Sequence, residues 1–229
     1  MRHMSVLRVN EKYVKTLVCS FSALYVFLGI LSFVPAVPSF RICLPVAFLS
    51  VASLWLTPWE VMLGLMFSAV GDYFGSCGSL MAQMGSFALA QIFYTVFFVR
   101  RFIRKDTRMT AKMKGYVTML GICILSLLVL VFQKVVPAVP EGTLRIGVGA
   151  YALLICVMLV AALIQRSSLY ALGALLFVIS DFALAWTLFV EPVPYSDLLV
   201  LGTYYVAQWL LFVRATPYKV SHPVYLMRF

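Results

Sequence analysis

The chain has 229 residues, of which 63% are apolar or aromatic and only 11% charged. A soluble domain carries roughly 45–50% apolar and 25% charged residues, so these proportions exclude a water-soluble fold and point to an all-α, polytopic membrane bundle. The net charge of +10 does not signal nucleic-acid binding, because the 18 Lys and Arg fall almost wholly between and outside the apolar stretches, where they set topology.

Apolar segments run from Thr16 to Val34, Ile42 to Leu56, Val61 to Phe74, Leu80 to Val99, Tyr116 to Phe132, Ile146 to Ile164, Leu169 to Val190 and Leu198 to Val213, which predicts eight transmembrane helices. Several are shorter than the ~20 residues that cross ~30 Å at 1.5 Å per residue. The third reaches span length only with Gly75 to Gly78, so a re-entrant third segment stays open. Pro35, Pro38, Pro58, Pro140, Pro192 and Pro194 stop helices, and Glu60, Lys134, Glu141, Arg166 and Asp197 mark ends that face water.

With eight spans, Arg2, Arg8, Lys12, Lys15, the seven basic residues from Arg100 to Lys114, Arg166, Arg214, Lys219 and Arg228 share one side. Only Arg41, Lys134 and Arg145 fall opposite, which places both termini in the cytoplasm. The first segment ends in Pro-Ala-Val-Pro-Ser and reads as a retained helix rather than a cleaved signal. Compact loops suit a bacterial inner membrane, and an internal eukaryotic membrane would look similar. The run from Arg100 to Lys105 is a topology anchor whose charges also suit anionic headgroups, at about 1 kcal/mol per residue near the surface.

Cys19, Cys43, Cys77, Cys123 and Cys156 are odd in number, form no CxxC pair and read as small apolar residues. His3 and His222 lie in polar termini, which leaves no His-based zinc site and no buried Ser-His or Cys-His couple. Chemistry in this chain therefore has to use carboxylates, amides and hydroxyls, with neither metal nor cofactor.

An internal repeat directs attention to two of those carboxylates. At an offset of 109, Leu63-Gly64-Leu65-Met66 and Gly71-Asp72-Tyr73 meet Leu172-Gly173-Ala174-Leu175 and Ser180-Asp181-Phe182. At an offset of 117, Gly85 to Gln91 meets Gly202 to Gln208. The pattern predicts a single transmembrane domain built as a duplicated four-helix unit, with halves at about 13–99 and 115–215 joined by the basic loop 100–114. Halves with an even number of spans run in the same sense, related by a pseudo-twofold along the membrane normal.

Asp72 and Asp181 are the ionisable residues well inside apolar spans, where a charge costs ~2.5–3.5 kcal/mol on insertion scales and marks function by default. Gly64, Ser68 and Asp72 form one small, polar helical stripe, and Gly173 and Phe177 precede Ser180 and Asp181 in the same manner. Gln91 and Gln208 are amides that need partners, with the hydroxyls of Tyr94, Tyr204 and Tyr205 within a turn of them. The competing structural readings are a hydrogen-bond network at a helix interface for the aspartates, and interfacial anchors or helix-to-helix glue for the amides and phenols.

The constellation Phe67-Ser68-Ala69-Val70-Gly71-Asp72, Gly85-x-Phe87, Ala90-Gln91-x-x-Tyr94, Gly173-x-x-x-Phe177-x-x-Ser180-Asp181-x-x-Leu184-Ala185 and Tyr204-Tyr205-x-Ala207-Gln208 resembles the YhhN family of membrane proteins, which includes the lysoplasmalogenases. Two departures stand out: Leu44-Pro45 where a Lys-Pro is expected, and Gln91 where many members carry His. The first leaves the site without an obvious cation. The resemblance implies hydrolysis of the vinyl-ether bond of a lysoplasmalogen to a fatty aldehyde and a glycerophospho-ethanolamine or -choline. Two carboxyls suffice for that chemistry: one, kept protonated by burial and by its neighbour, is the general acid, and the ionised one stabilises the oxocarbenium ion and takes a proton from water. Nothing in the sequence says which of Asp72 and Asp181 is which. A lysophospholipid chain would enter between helices from the bilayer, with Gln91, Gln208 and the tyrosines on the glycerol or phosphate oxygens. Two rival readings use the same residues: a transporter with a midplane aspartate pair, and a non-catalytic scaffold held together by the aspartates.

Overall fold

The computed structural model describes residues 11–34, 39–104 and 111–221. Pro35, Pro38, the basic stretch 105–110, Arg2, Arg8, Arg228, His3 and His222 lie outside the described residues. What is described is all-α and forms eight helical rods.

Helix α1 (Glu11–Leu31) leads through a 3-10 turn (Ser39–Cys43) into α2 (Leu44–Leu56), whose Pro45 sits in the first turn, where the missing N–H has no intrahelical partner to lose. Helix α3 (Trp59–Ser76) follows at once, and a tight turn built on Gly78, at φ 73°, reverses the chain into α4 (Leu80–Arg104). Helix α5 (Ala111–Leu130) continues through a π-helical turn (Val131–Val135) into a last α turn (Val136–Ala138). Pro137 explains that bulge: it cannot donate to the carbonyl four residues back, and the wider turn absorbs the missing bond. Helices α6 (Thr143–Leu163), α7 (Ser168–Phe189) and α8 (Ser196–Ser221) complete the bundle.

Among the described residues five helices are long and apolar enough to cross a membrane: α4, the stretch 117–138 that α5 forms with its π-helical and last α turns, α6, α7 and α8. Two shorter apolar helices, Thr16–Leu31 and Phe40–Leu56, accompany them. Exposed Leu24, Ile30, Trp55, Ile146 and Leu198 belong to the apolar outer surface that a bilayer would cover. Together these features describe an integral, multi-pass membrane protein. Helix α3 falls outside the long apolar group because it carries Glu60 and Asp72. It packs along α4 over its whole length, and at the end remote from the Gly78 turn Arg100 grips Glu60 at 2.8 Å.

Glu60 also corrects the expectation that it marks a water-facing end, since it is 3% exposed. Arg100, forty residues away, covers it and lies over the Trp59 ring. The same end of the bundle holds Arg101 and Arg214, both over the ring of Tyr170 at 5.1 and 5.4 Å. Between the two ends the core is filled by Leu49, Leu65, Phe98, Phe177 and Phe212. Helix α5 stands at the periphery, with 6% of its span buried. All five cysteines are free.

Candidate active site

At the end of the bundle opposite the arginines, a cavity of about 950 Å³ opens between the end of α1, the 3-10 turn, the α3–α4 turn and the α7–α8 connection. Asp72 of α3 and Asp181 of α7 both line it. Each aspartate sits on the inner face of its helix because the spacing of small residues lets that face approach a neighbour. A Cβ on Gly64 would clash with the ring of Tyr94, and one on Gly71 would come within 3.2 Å of Phe87. On α7, a Cβ on Gly173 would meet the Ala207 carbonyl and Leu210 at 3.3 Å. These close approaches bind α3 to α4 and α7 to α8.

Both carboxylates accept a hydrogen bond from a phenol. Tyr204 of α8 donates to Asp72 Oδ2 at 2.9 Å, and Tyr151 of α6 donates to Asp181 Oδ2. Asp72 is 5% exposed, whereas Asp181 is only half-buried. Asp181 differs in a second respect: it also borders a narrow apolar slot between α5, α6 and α7, lined by Leu128, Val131, Ile155, Val178 and Phe182. The polar cavity and the apolar slot thus meet at one carboxyl group. Beneath them, Phe87, Phe177 and Tyr204 pack edge to face with centroids 5.5 to 6.3 Å apart, forming an aromatic floor.

Of the other residues singled out in the sequence, Ser180 and Tyr204 line the cavity, although the Ser180 hydroxyl is spent on the Val200 carbonyl at 2.9 Å. Ser68, Gln91, Tyr94, Tyr205 and Gln208 are buried and are not among the residues lining it. Tyr94 donates to Gln208 Oε1 at 2.6 Å, joining α4 to α8. Tyr205 donates to the Ile42 carbonyl at 2.8 Å and so fixes the 3-10 turn, while its own carbonyl accepts from Tyr25 of α1. Gln91 is fully buried with both amide atoms lacking a hydrogen-bond partner, as are Ser68 Oγ and Gln208 Nε2. These groups form an inner polar layer behind the carboxyls.

Two residues of the site were not singled out in the sequence. Tyr151 lies inside an apolar span and looks there like any other packed aromatic. Arg41 lines the cavity together with both aspartates, and its Nε donates to the Ser32 carbonyl at 2.7 Å. Its signal was present as one of three basic residues on the side that carries few. Among the described residues no group of three His, Cys, Asp or Glu side chains is placed to hold a metal ion.

The sequence profile of the YhhN family matches residues 37–215. Human lysoplasmalogenase TMEM86A is 32% identical over 169 residues, which is 68% of this chain and 65% of that protein. The bovine TMEM86A lysoplasmalogenase is 31% identical over the same length and shares. Human lysoplasmalogenase TMEM86B is 41% identical over 75 residues, 33% of each chain. The chain thus spans about a third of the TMEM86B relative and just under two thirds of the TMEM86A relatives. No solved structure matches it. With most of its length inside the family match, the chain belongs to the YhhN family.

Proposed function

We propose that this protein is a membrane-embedded hydrolase that cleaves the vinyl-ether bond of lysoplasmalogens, using Asp72 and Asp181 as its acid–base pair. The observation that carries the reading is the position of Asp181 where a polar cavity meets an apolar slot. A lysoplasmalogen is an amphiphile whose reactive double bond lies at the junction of headgroup and chain. With the headgroup in the cavity and the start of the alkenyl chain in the slot, the vinyl ether comes against Asp181. The names of the related lysoplasmalogenases favour the same substrate.

In this orientation Asp181 is the general acid, because the carbon that must be protonated is the one on the chain side. Its proton passes to the β-carbon, the π electrons form the new C–H bond, and an oxygen lone pair generates the oxocarbenium ion. Water adds to the cationic carbon and gives its proton to Asp72, producing a hemiacetal. The hemiacetal C–O bond then breaks, the glycerol oxygen takes the proton held by Asp72, and the hemiacetal hydroxyl returns a proton to Asp181 as the aldehyde forms. Both carboxyls end as they began. Proton transfers of this kind contribute about 10²–10⁴-fold each, and the aromatic floor beside Tyr204 keeps the site low in water and attractive to cationic charge.

The proposal includes the topology: one transmembrane domain with both termini in the cytoplasm and the cavity mouth on the opposite side, with the halves 13–99 and 115–215 as a parallel duplication. Tyr205, Gln208, Tyr94, Gln91 and Ser68 are positioning residues in this scheme, and Ser180 shapes the wall.

The test is fatty-aldehyde release from a 1-alkenyl lysophospholipid by the purified full chain, with a saturated 1-alkyl ether as control. Release from the vinyl ether alone, lost in well-folded Asp72→Asn and Asp181→Asn, is the expected result. A monodisperse, thermally stable protein that releases no aldehyde would overturn the hydrolase reading in favour of solute transport.

A further inference from the structure

The cavity carries charge in an arrangement that the two aspartates do not explain. Arg41 is the one cation among its described lining residues, and Asp197, in the first turn of α8, lies on the rim beside Tyr195 and Ser196. These two stand on different walls: Arg41 belongs to the turn between α1 and α2, Asp197 to the start of α8. Arg41 is not loosely placed. Its Nε is held by the Ser32 carbonyl at 2.7 Å, and the next residue in its turn, Ile42, is pinned through its carbonyl by Tyr205 at 2.8 Å. The turn is therefore tied to the end of α1 on one side and to α8 on the other.

A fixed guanidinium on a cavity wall is suited to phosphate, whose oxygens match its planar fork. The remaining charges of the lining, Asp72, Asp181 and Asp197, are acidic, so a purely anionic guest would meet more repulsion than attraction. A guest that brings its own cation satisfies both walls.

We infer that the cavity mouth is a zwitterionic-headgroup site in which Arg41 takes the phosphate and Asp197 the ammonium of an ethanolamine-type lysophospholipid. The identity of the guest as a lysophospholipid rests on the hydrolase reading above. Arg41 and Asp197 act on binding, not on the proton transfers, so their effects belong in KM and Kd.

The experiment has a kinetic and a binding arm, both on the full chain. Three vinyl-ether substrates are compared: 1-alkenyl-glycerophosphoethanolamine, the glycerophosphate lacking the amine, and headgroup-free 1-alkenylglycerol. Binding of the saturated 1-alkyl-glycerophosphoethanolamine is measured by calorimetry, which needs no turnover. Arg41→Gln is expected to raise KM for both phosphate-bearing substrates, and Kd for the saturated analogue, by about ten- to a hundredfold, the loss of charge-assisted hydrogen bonds. Alkenylglycerol should respond less than threefold, and Arg41→Lys, which keeps the charge but not the planar fork, should recover only part of the loss. Asp197→Asn should abolish the preference for the ethanolamine substrate over the glycerophosphate, with headgroup-free turnover as in the parent chain. An Arg41→Gln protein that weakens all three substrates equally, or an unmoved Kd, overturns the site, as does a parent chain that fails to bind the analogue. If the parent chain binds the analogue but releases no aldehyde, the hydrolase reading fails while the binding arm still decides the headgroup site. Thermal unfolding of Arg41→Gln and Arg41→Lys separates a lost headgroup contact from a loosened turn.

Discussion

The α3–α4 and α7–α8 hairpins carry matching motifs, yet their aspartates sit in different surroundings. In both, a glycine two turns before the aspartate allows a close helix crossing, Gly64 against Tyr94 and Gly173 against the α8 backbone. Asp72 is deeply buried and takes its phenol from Tyr204 of α8. Asp181 is half-buried, takes its phenol from Tyr151 of α6, and faces an apolar slot that Asp72 does not line. The sequence offset that aligns α4 with α8 puts Phe87 opposite Tyr204, and a phenylalanine has no hydroxyl to give. Asp181 has its donor from another helix. A shared motif therefore places two carboxyls in different surroundings, and in the proposed mechanism those surroundings are what would divide acid from base.

The largest effects should come from the carboxyls themselves. Asp72→Asn and Asp181→Asn should each lower kcat for aldehyde release by about a thousandfold, the magnitude of a lost proton transfer. The comparison sharpens with Asp72→Ala and Asp181→Ala assayed in formate. Formate can take the proton from water and return it to the glycerol oxygen in place of the missing carboxylate, so it should restore turnover to the Asp72 variant and leave the Asp181 variant silent. Rescue of Asp181→Ala alone would reverse the assignment.

The membrane class was legible because composition and the length of apolar runs are imposed by the bilayer, and the two aspartates stood out because charge inside such runs is costly. Partnership was not legible. Nothing local distinguishes Tyr151, bonded to a carboxyl, from a tyrosine that anchors a helix at the interface. Glu60 reads as a water-facing end until Arg100 is found beside it, and that pairing depends on α3 and α4 being antiparallel. The depth of Gln91 and Gln208 behind the cavity wall is likewise set by helix rotation, which the sequence pattern alone does not fix.

The next effects concern the two glycine crossings. Gly64→Ala drives a methyl into the Tyr94 ring, which is itself fully buried and bonded to Gln208 and so has no open space to enter. A loss of about 2–3 kcal/mol is expected, at the upper end for overpacking. Gly173→Ala meets its neighbours at 3.3 Å, a crowding that a shift of a few tenths of an ångström relieves, so about 1 kcal/mol is expected. Denaturation of the two variants in matched detergent measures the difference, and equal losses would show that the two crossings are equally tight.

The smallest expected effects are also the most informative, because they act on the phenols alone. Tyr204→Phe takes away the one donor that the more deeply buried carboxyl has among the described residues, and should cost about 1–3 kcal/mol of stability. Tyr151→Phe takes the donor from a carboxyl that borders two cavities and can accept water in its place, so a stability loss of about 1 kcal/mol or less is expected. Turnover should rank the other way. Tyr151 occupies Oδ2 of Asp181, so in the proposed mechanism Oδ1 is the oxygen that carries the proton toward the alkenyl chain, and without that constraint the carboxyl can rotate out of line. Tyr151→Phe should therefore lower kcat by about tenfold at nearly constant KM, while Tyr204→Phe lowers it less for each kcal/mol of stability lost. Stability and turnover falling in parallel in both variants would mean that the two phenols only hold helices together, and the asymmetry between the aspartates would lose its mechanistic content.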